Sequence, residues 1–177
     1  MAKNKTSPTR TDQTRIDETR IDRPRIDMKP KLRERVTALL NQQLADTLDL
    51  YTQVKQAHWN VKGANFIALH ELFDKLAEDL EEPVDDIAER ITALGGVARG
   101  TARIAAQDSR LPEFPHGRVA GLDAVALLAD RYAALAASTR AAIETAGKEG
   151  DADTSDLFTG ISRGLDKALW LLEAHLQ

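Results

Sequence analysis

Apolar side chains recur at helical spacing in four long segments of the chain. In the first segment, Val36, Leu40, Leu44 and similar residues recur every three or four positions after Pro30, and Gly63 marks a stop. The pattern returns three more times, and each of these later segments is long enough for several helical turns. The sequence therefore predicts an all-α chain whose later helices cover residues 65–94, 122–146 and 153–176.

The order of these segments predicts how they pack. Residues 97–121 are rich in proline and glycine, which predicts a long connection with one short helix over residues 103–108. Two helices, a crossover and two more helices give a four-helix bundle, as in ferritin-like folds. Pro83 lies inside the second segment, where it lacks a backbone donor and crowds the carbonyl of Asp79. We expect a kink there, at a cost of about 3 kcal/mol before compensation.

The first 30 residues follow a different pattern. From Thr9 the chain repeats every five residues, and Arg-Ile-Asp recurs at residues 15–17, 20–22 and 25–27. A period of five matches neither a helix nor a strand, so no single apolar face forms that could repay the entropy of ordering. We predict a flexible arm over residues 1–30 and one helical domain over residues 31–177.

Charge divides the chain near the same place. The net charge is −4, but residues 1–31 hold nine Lys or Arg against five Asp or Glu, so a basic arm precedes an acidic domain. The arm could contact DNA phosphates without sequence preference, and many arms on one assembly would add their weak contacts. An Asp lies two residues after each repeated Arg, so the alternative of a solvated linker that binds nothing stays open. The candidate DNA contacts are Lys3, Lys5, Arg10, Arg15, Arg20 and Arg25.

Composition narrows the chemistry. The chain has no cysteine, which excludes disulfides, thiolate zinc sites and cysteine-held iron–sulfur clusters. Any metal must be held by His and carboxylates. No apolar run approaches the roughly 20 residues of a membrane span, and no hydrophobic signal segment is present. We expect a cytoplasmic protein that makes no contact with membranes and is associated with the nucleoid if the arm binds DNA.

Two pairs of candidate ligands lie on the second predicted helix. His70 and Asp74 are four residues apart, as are Asp85 and Glu89, so each pair spans one turn. At about 100° per residue, all four fall within one stripe of the helix. Asp74 and Asp85 are nevertheless separated by about 16 Å along the axis, far beyond the roughly 2 Å of a metal–ligand bond. One chain cannot close a site with both pairs.

The positions of the two pairs suggest how a site could close. Positions 70 and 89, like 74 and 85, are symmetric about a point between residues 79 and 80. If two copies of this helix pack antiparallel about a two-fold axis, His70 faces Glu89 of the other copy and Asp74 faces Asp85. His58, at the end of the first helix, could then fold beside His70 and add a ligand.

This ligand set limits the metal without fixing it. Imidazoles and carboxylates suit Fe²⁺ or Mn²⁺, and zinc could also occupy the site. An interpretation in which these residues bind no metal also stays open. The acidic residues would then form a solvated helix face, His70 would be a surface histidine, and His58 would be a hydrogen-bonded core residue.

Several linked motifs resemble one family. Residues 58–74 read HWNVKGANFIALHELFD, and they are followed by DDIAER at 85–90, LGG at 94–96, ADRY at 129–132 and DKALW at 166–170. Together these motifs closely resemble Dps, the DNA-binding protein from starved cells, over about residues 32–177. The arm lies outside the resemblance, and it is longer and more mixed in charge than the short Lys-rich tail of DNA-binding members.

The resemblance implies a fold, an assembly and an activity. We expect a ferritin-like subunit of a hollow dodecameric shell that oxidises Fe²⁺ with hydrogen peroxide, stores a ferric mineral and protects DNA from oxidative damage, with no organic cofactor. In the family, the ferroxidase centre lies at a two-fold interface between subunits. Its matching ligands here are His58, His70 and Asp74 of one subunit with Asp85 and Glu89 of the other.

Two further residues acquire expected roles from the resemblance. Trp59 matches a tryptophan beside the centre, where it could supply an electron, although interface packing is an equal alternative. Asp130 matches an aspartate of the pore through which iron enters, with a plain exposed carboxylate as the alternative. An ordinary ferritin would place Glu-x-x-His inside the bundle. The match at residues 113–116 contains a proline and is predicted to lie in a loop.

Two other functions stay open on the sequence. One is a nucleoid-compacting DNA-binding protein in which the metal chemistry is vestigial. The other is a purely structural helical oligomer. Both retain the helical domain but give no catalytic role to the His and carboxylate residues.

Overall fold

The structure, a computed structural model, describes residues 24–177 and is all-helical over that range, apart from one isolated bridge between Lys62 and Ala120. Four long helices and a short one confirm the predicted ferritin-like architecture. The positions predicted to be apolar form one continuous core, with Leu40, Phe73 and Phe158 fully buried. The helices are α1 (Pro30–Asn60), α2 (Phe66–Ala93), α3 (Ala102–Asp108), α4 (Gly121–Glu149) and α5 (Ala152–Glu173).

Contacts at both ends of the bundle show that α1 and α4 run antiparallel. Near the start of α1, Arg35 donates to the carboxylate of Glu149 at the end of α4, with Nε to Oε1 at 2.8 Å. Beyond the end of α1, the carbonyl of Lys62 accepts from the N–H of Gly121 at 3.1 Å. The second contact places the turn between α1 and α2 beside the start of α4.

Two helix ends differ by three residues from the sequence prediction. Helix α4 continues to Glu149, beyond the expected end at residue 146, because Gly147 stays helical and Gly150 adopts the left-handed conformation that ends the helix, with φ 83°. Helix α5 ends at Glu173, three residues before the expected end. Helix α2 continues through Pro83 without a break, and the expected kink stays a prediction.

The crossover between α2 and α4 is bonded to α1. Asp46, 1% exposed, accepts from the backbone N–H of Arg110 at 2.8 Å and from its guanidinium. Gln42 donates to the carbonyl of Asp108 at 2.9 Å, and Gln53 donates to that of Pro112 at 3.1 Å. The connection therefore packs along α1 by completed hydrogen bonds.

The root of the arm is also tied to α1. The buried side chain of Arg33 donates to the carbonyl of Pro24 at 3.3 Å and to that of Ile26. Helix α1 starts at Pro30, one residue before the predicted domain boundary, and a proline is well suited to the first turn of a helix. The rest of the predicted arm, residues 1–23, lies outside the described residues.

None of the helices within residues 24–177 has the length and apolarity needed to cross a bilayer.

Candidate metal half-site

The turn from α1 to α2 brings His58 and His70 together. His58 lies in the last turn of α1, and His70 lies five residues into α2. The short connection between the helices includes Gly63 at φ 119°, a conformation that favours glycine. The two imidazole rings stack with centroids 3.8 Å apart and planes 19° apart. This contact confirms that His58 folds beside His70.

Reciprocal hydrogen bonds to the backbone orient both rings. His58 Nδ1 lies 2.8 Å from the carbonyl oxygen of His70, and His70 Nδ1 lies 2.9 Å from that of His58. A carbonyl oxygen only accepts, so each Nδ1 carries the proton and donates it. The lone pair of each neutral ring is then on Nε2. This is the arrangement in which a carbonyl holds a metal-binding imidazole in the correct tautomer.

Asp74 adds a carboxylate on the same side. It lies one turn after His70 on α2, and its Oδ1 is 3.7 Å from Nε2 of His58. Lys55 of α1 donates to this oxygen, with Nζ to Oδ1 at 2.7 Å. That hydrogen bond holds the pKa of Asp74 below its usual range. The carboxylate is therefore ionised and able to bind a cation.

The second predicted pair lies elsewhere on α2. Asp85 and Glu89 are both exposed, and eleven residues separate Asp74 from Asp85, about 16 Å along a helix. Within residues 24–177, no three His, Asp or Glu side chains of a single chain are grouped closely enough to hold a metal ion. The structure thus brings His58 beside His70 and within 3.7 Å of Asp74, which forms an incomplete half-site, and leaves the other two carboxylates apart. Their pairing with a second copy stays a prediction.

The half-site contains donors of the right kind for iron. It offers two imidazole nitrogens and a carboxylate, with no sulfur, which suits Fe²⁺ and the similar ions Mn²⁺ and Zn²⁺. A lone half-site has too few ligands for a closed coordination shell. Ligands from another protomer would complete it and still leave positions open for an oxidant.

Trp59 and Asp130 occupy exposed positions. Trp59 follows His58 directly and is 62% exposed, and Lys55 Nζ lies 5.9 Å from its ring centroid. Asp130 is exposed on α4, beside the buried Arg131. The redox role of Trp59 and the pore role of Asp130 stay predictions.

The Glu-x-x-His match lies in the crossover loop, as predicted. Glu113 Oε1 and His116 Nε2 are 3.1 Å apart, and both side chains are exposed, at 80% and 87%. A metal site inside the bundle would need these side chains to project into the core from helices. They do not form one.

Sequence reasoning missed Lys55. Its ammonium donates a hydrogen bond to the predicted ligand Asp74. The only sequence signal for Lys55 was its spacing, because it lies three residues before His58 and therefore on the same face of α1. The candidate DNA contacts of the arm lie outside the described residues, except Arg25, which is exposed.

Comparisons with known proteins agree with this architecture. A family model for the ferritin-like domain matches residues 37–177. The DNA protection during starvation protein of Agrobacterium fabrum (strain C58) is 42% identical over 145 residues, covering 82% of this chain and 90% of the relative. The protein of the same name from Brevibacillus brevis is 32% identical over 150 residues, covering 85% of this chain and 100% of the relative.

Solved structures give the same result. Mycobacterium smegmatis Dps superposes with a TM-score of 0.84 at 31% identity, covering 88% of this chain and 94% of that one. An archaeal Dps homologue from Halobacterium salinarum superposes with a TM-score of 0.87 at 26% identity, covering 96% of this chain and 94% of that one. The fold and the family match thus define a ferritin-like protein. Within that class, the chain belongs to the Dps family.

Proposed function

We propose that this protein is a ferroxidase and iron-storage protein that completes its iron sites between subunits. The supporting observation is the orientation of His58 and His70. Both Nδ1 atoms are bonded to backbone carbonyls, which leaves both Nε2 lone pairs for a ligand beside the ionised Asp74. A histidine pair that served only to join α1 and α2 would not need a carboxylate next to a free ring nitrogen.

The site is completed by Asp85 and Glu89 of a second protomer. Two antiparallel copies of α2 bring His70 of one copy opposite Glu89 of the other, and Asp74 opposite Asp85. Each such pair of protomers forms two equivalent sites. The hollow dodecameric shell follows from membership of the family, and it would enclose the ferric product.

The chemistry consumes Fe²⁺ and hydrogen peroxide as substrates. Two Fe²⁺, one H₂O₂ and two H₂O give two FeO(OH) and four H⁺, so both electrons that reduce the peroxide come from iron. His58 and His70 hold the ions in position, while the three carboxylates balance the positive charge that increases as iron is oxidised. Trp59 supplies the second electron when only one Fe²⁺ is bound, and Asp130 draws cations towards the interior.

Stoichiometry tests this function. Fe²⁺ is added anaerobically, peroxide follows, and ferric absorbance and residual peroxide are measured. We expect about two Fe²⁺ oxidised per peroxide, without hydroxyl radical in a spin-trap assay. One Fe²⁺ per peroxide together with trapped hydroxyl radical would show ordinary Fenton chemistry and contradict the proposal.

DNA protection follows from this chemistry, and the arm adds a second candidate function. The relatives in Agrobacterium fabrum and Brevibacillus brevis are named for DNA protection during starvation. Removing Fe²⁺ and peroxide together would protect DNA without any contact. The basic arm could also bind DNA directly. The alternative function, a nucleoid-compacting protein with vestigial metal chemistry, requires such direct binding.

Deleting residues 1–28 separates the two functions. A gel shift with duplex DNA at low salt should disappear, while iron oxidation stays unchanged. A shift that persists would assign DNA binding to the helical domain, and loss of oxidation would contradict the independence of arm and site. The cytoplasmic and nucleoid locations stay predictions.

A further inference from the structure

The strongest unexplained feature of the half-site is the position of Lys55. Its Nζ donates to Oδ1 of Asp74 at 2.7 Å, and the same oxygen lies 3.7 Å from Nε2 of His58. The Lys55 side chain is 23% exposed, so it lies partly within the site. The ammonium of Lys55 therefore donates a hydrogen bond to the Asp74 oxygen that lies near Nε2 of His58.

A divalent ion held by this oxygen would lie close to the ammonium. Metal–oxygen bonds are about 2 Å long, so the ion would be within about 5 Å of Nζ. Charges of equal sign repel at that distance, and the repulsion becomes strong once a second protomer covers the Asp74 side chain, which is 44% exposed in the single chain. Lys55 therefore affects metal binding as well as joining α1 to α2.

The charges of the completed site indicate how many divalent ions it can balance. Asp74 with Asp85 and Glu89 of a second protomer carries three negative charges, and ligating imidazoles are neutral. Lys55 reduces the total to two negative charges, which one divalent ion balances. A second ion would leave the site with two positive charges when Lys55 is present and with only one when it is absent, and such an excess is costly where solvent is excluded.

We propose that Lys55 is a resident cation that limits each completed site to one tightly bound divalent ion before oxidation. The second ion enters only when the ammonium leaves Asp74. The exposed ring of Trp59, 5.9 Å from Nζ, gives the ammonium another favourable position. This inference rests on the proposed function, because it assumes that a second protomer supplies carboxylates.

Counting bound Co²⁺ tests the proposal without any turnover. The assembled protein, free of iron and under argon, is titrated with Co²⁺ by calorimetry and by visible absorbance. We expect one tight ion per protomer in the wild type. Lys55→Met removes the charge at similar side-chain length, and we expect it to bind two, with the second ion at least tenfold tighter than in the wild type.

Matched variants separate charge from packing. Lys75→Met removes another ammonium paired with a carboxylate on α2, at 2.6 Å from Asp79 Oδ1, and should still bind one ion. Lys55→Arg keeps the charge and should also bind one. Lys55→Gln replaces the Met variant if that variant does not assemble.

The outcomes distinguish the inference from the function on which it rests. One tight Co²⁺ in both the wild type and Lys55→Met would overturn the role of Lys55 while leaving the interfacial site intact. Two tight ions in the wild type would overturn it as well. No tight Co²⁺ in any variant would overturn the proposed metal site and this inference with it.

Discussion

Asp46 on α1 and Asp74 on α2 are both carboxylates bonded to a basic side chain, but their surroundings differ. Asp46 is 1% exposed and accepts from the backbone and the guanidinium of Arg110, so its bonds are completed within the chain. The Asp74 side chain is 44% exposed and bonds one lysine beside a histidine with a free ring nitrogen. Completed bonding marks a structural group, whereas incomplete bonding next to other ligands marks a binding group.

The same difference separates other polar clusters. Arg90 donates to Asp151 at 2.9 Å and to Thr154 at 3.0 Å, and this cluster joins α2 to the N-terminus of α5. Its members bond one another and leave no obvious place for a ligand. The histidine pair is fixed just as firmly through its Nδ1 atoms, but its Nε2 atoms are left for binding. Rigid orientation combined with open ligand positions is what a metal site requires.

The largest expected effect comes from removing the open cluster. Replacing His58, His70 and Asp74 together by alanine should slow peroxide-dependent iron oxidation at least about a hundredfold, because the half-site then has no ligands. Stopped-flow absorbance of the ferric product measures the rate. Light scattering should show the same assembled mass as the wild type.

A loop histidine provides the control for this variant. His116→Ala removes an exposed histidine that faces Glu113 outside the bundle, and oxidation should proceed at the wild-type rate. An unchanged rate in the triple variant would reject the ferroxidase assignment.

A closed cluster should respond in the opposite way. Asp46→Ala leaves the N–H and the guanidinium of Arg110 without their acceptor, so the free energy of unfolding should fall by about 2 kcal/mol. Urea titration at fixed protein concentration measures this change. Iron oxidation below the unfolding transition should stay at the wild-type rate, and a large loss of rate with unchanged stability would reverse the comparison.

The smallest effect is expected at an exposed closed pair. Arg35 donates to Glu149 and holds the pKa of this carboxyl below its usual value of 4.5. A lowered pKa in the folded state gives stability that is present above about pH 4.5 and is lost as the pH falls through the folded value. Exposure keeps the contribution small.

Glu149→Gln tests the direction of this effect. The variant should unfold slightly more easily than the wild type at pH 7, and the difference should shrink towards pH 3. Thermal unfolding at both pH values measures it. A difference that grows on acidification would contradict the assigned pKa direction.

The helical fold could be predicted from sequence because its apolar positions are periodic. Val36, Leu40 and Leu44 identified the buried face of α1, and the structure buries all three. The end of α4 was harder to predict. Gly147 and Gly150 both resemble helix stops in the sequence, and only the backbone conformation shows that the chain turns at Gly150.

Some features of the candidate site could likewise be predicted from the sequence, and others could not. Helical periodicity placed His70 and Asp74 on one face, and the short turn predicted that His58 would lie beside them. Spacing could not reveal that each imidazole donates to the other's backbone carbonyl, because that depends on how α1 and α2 are aligned. The ion pair of Lys55 with Asp74 depends on the same alignment.

The central claim is that each iron site is divided between two protomers, and complementation tests it most directly. One variant carries His70→Ala and Asp74→Ala, and the other carries Asp85→Ala and Glu89→Ala, so neither alone can form a complete site. Co-expressed in equal amounts, they should recover roughly a quarter of the wild-type oxidation rate, because half of the randomly formed pairs are mixed and each mixed pair has one intact site. A co-assembled sample that stays as inactive as the two separate variants would contradict the account.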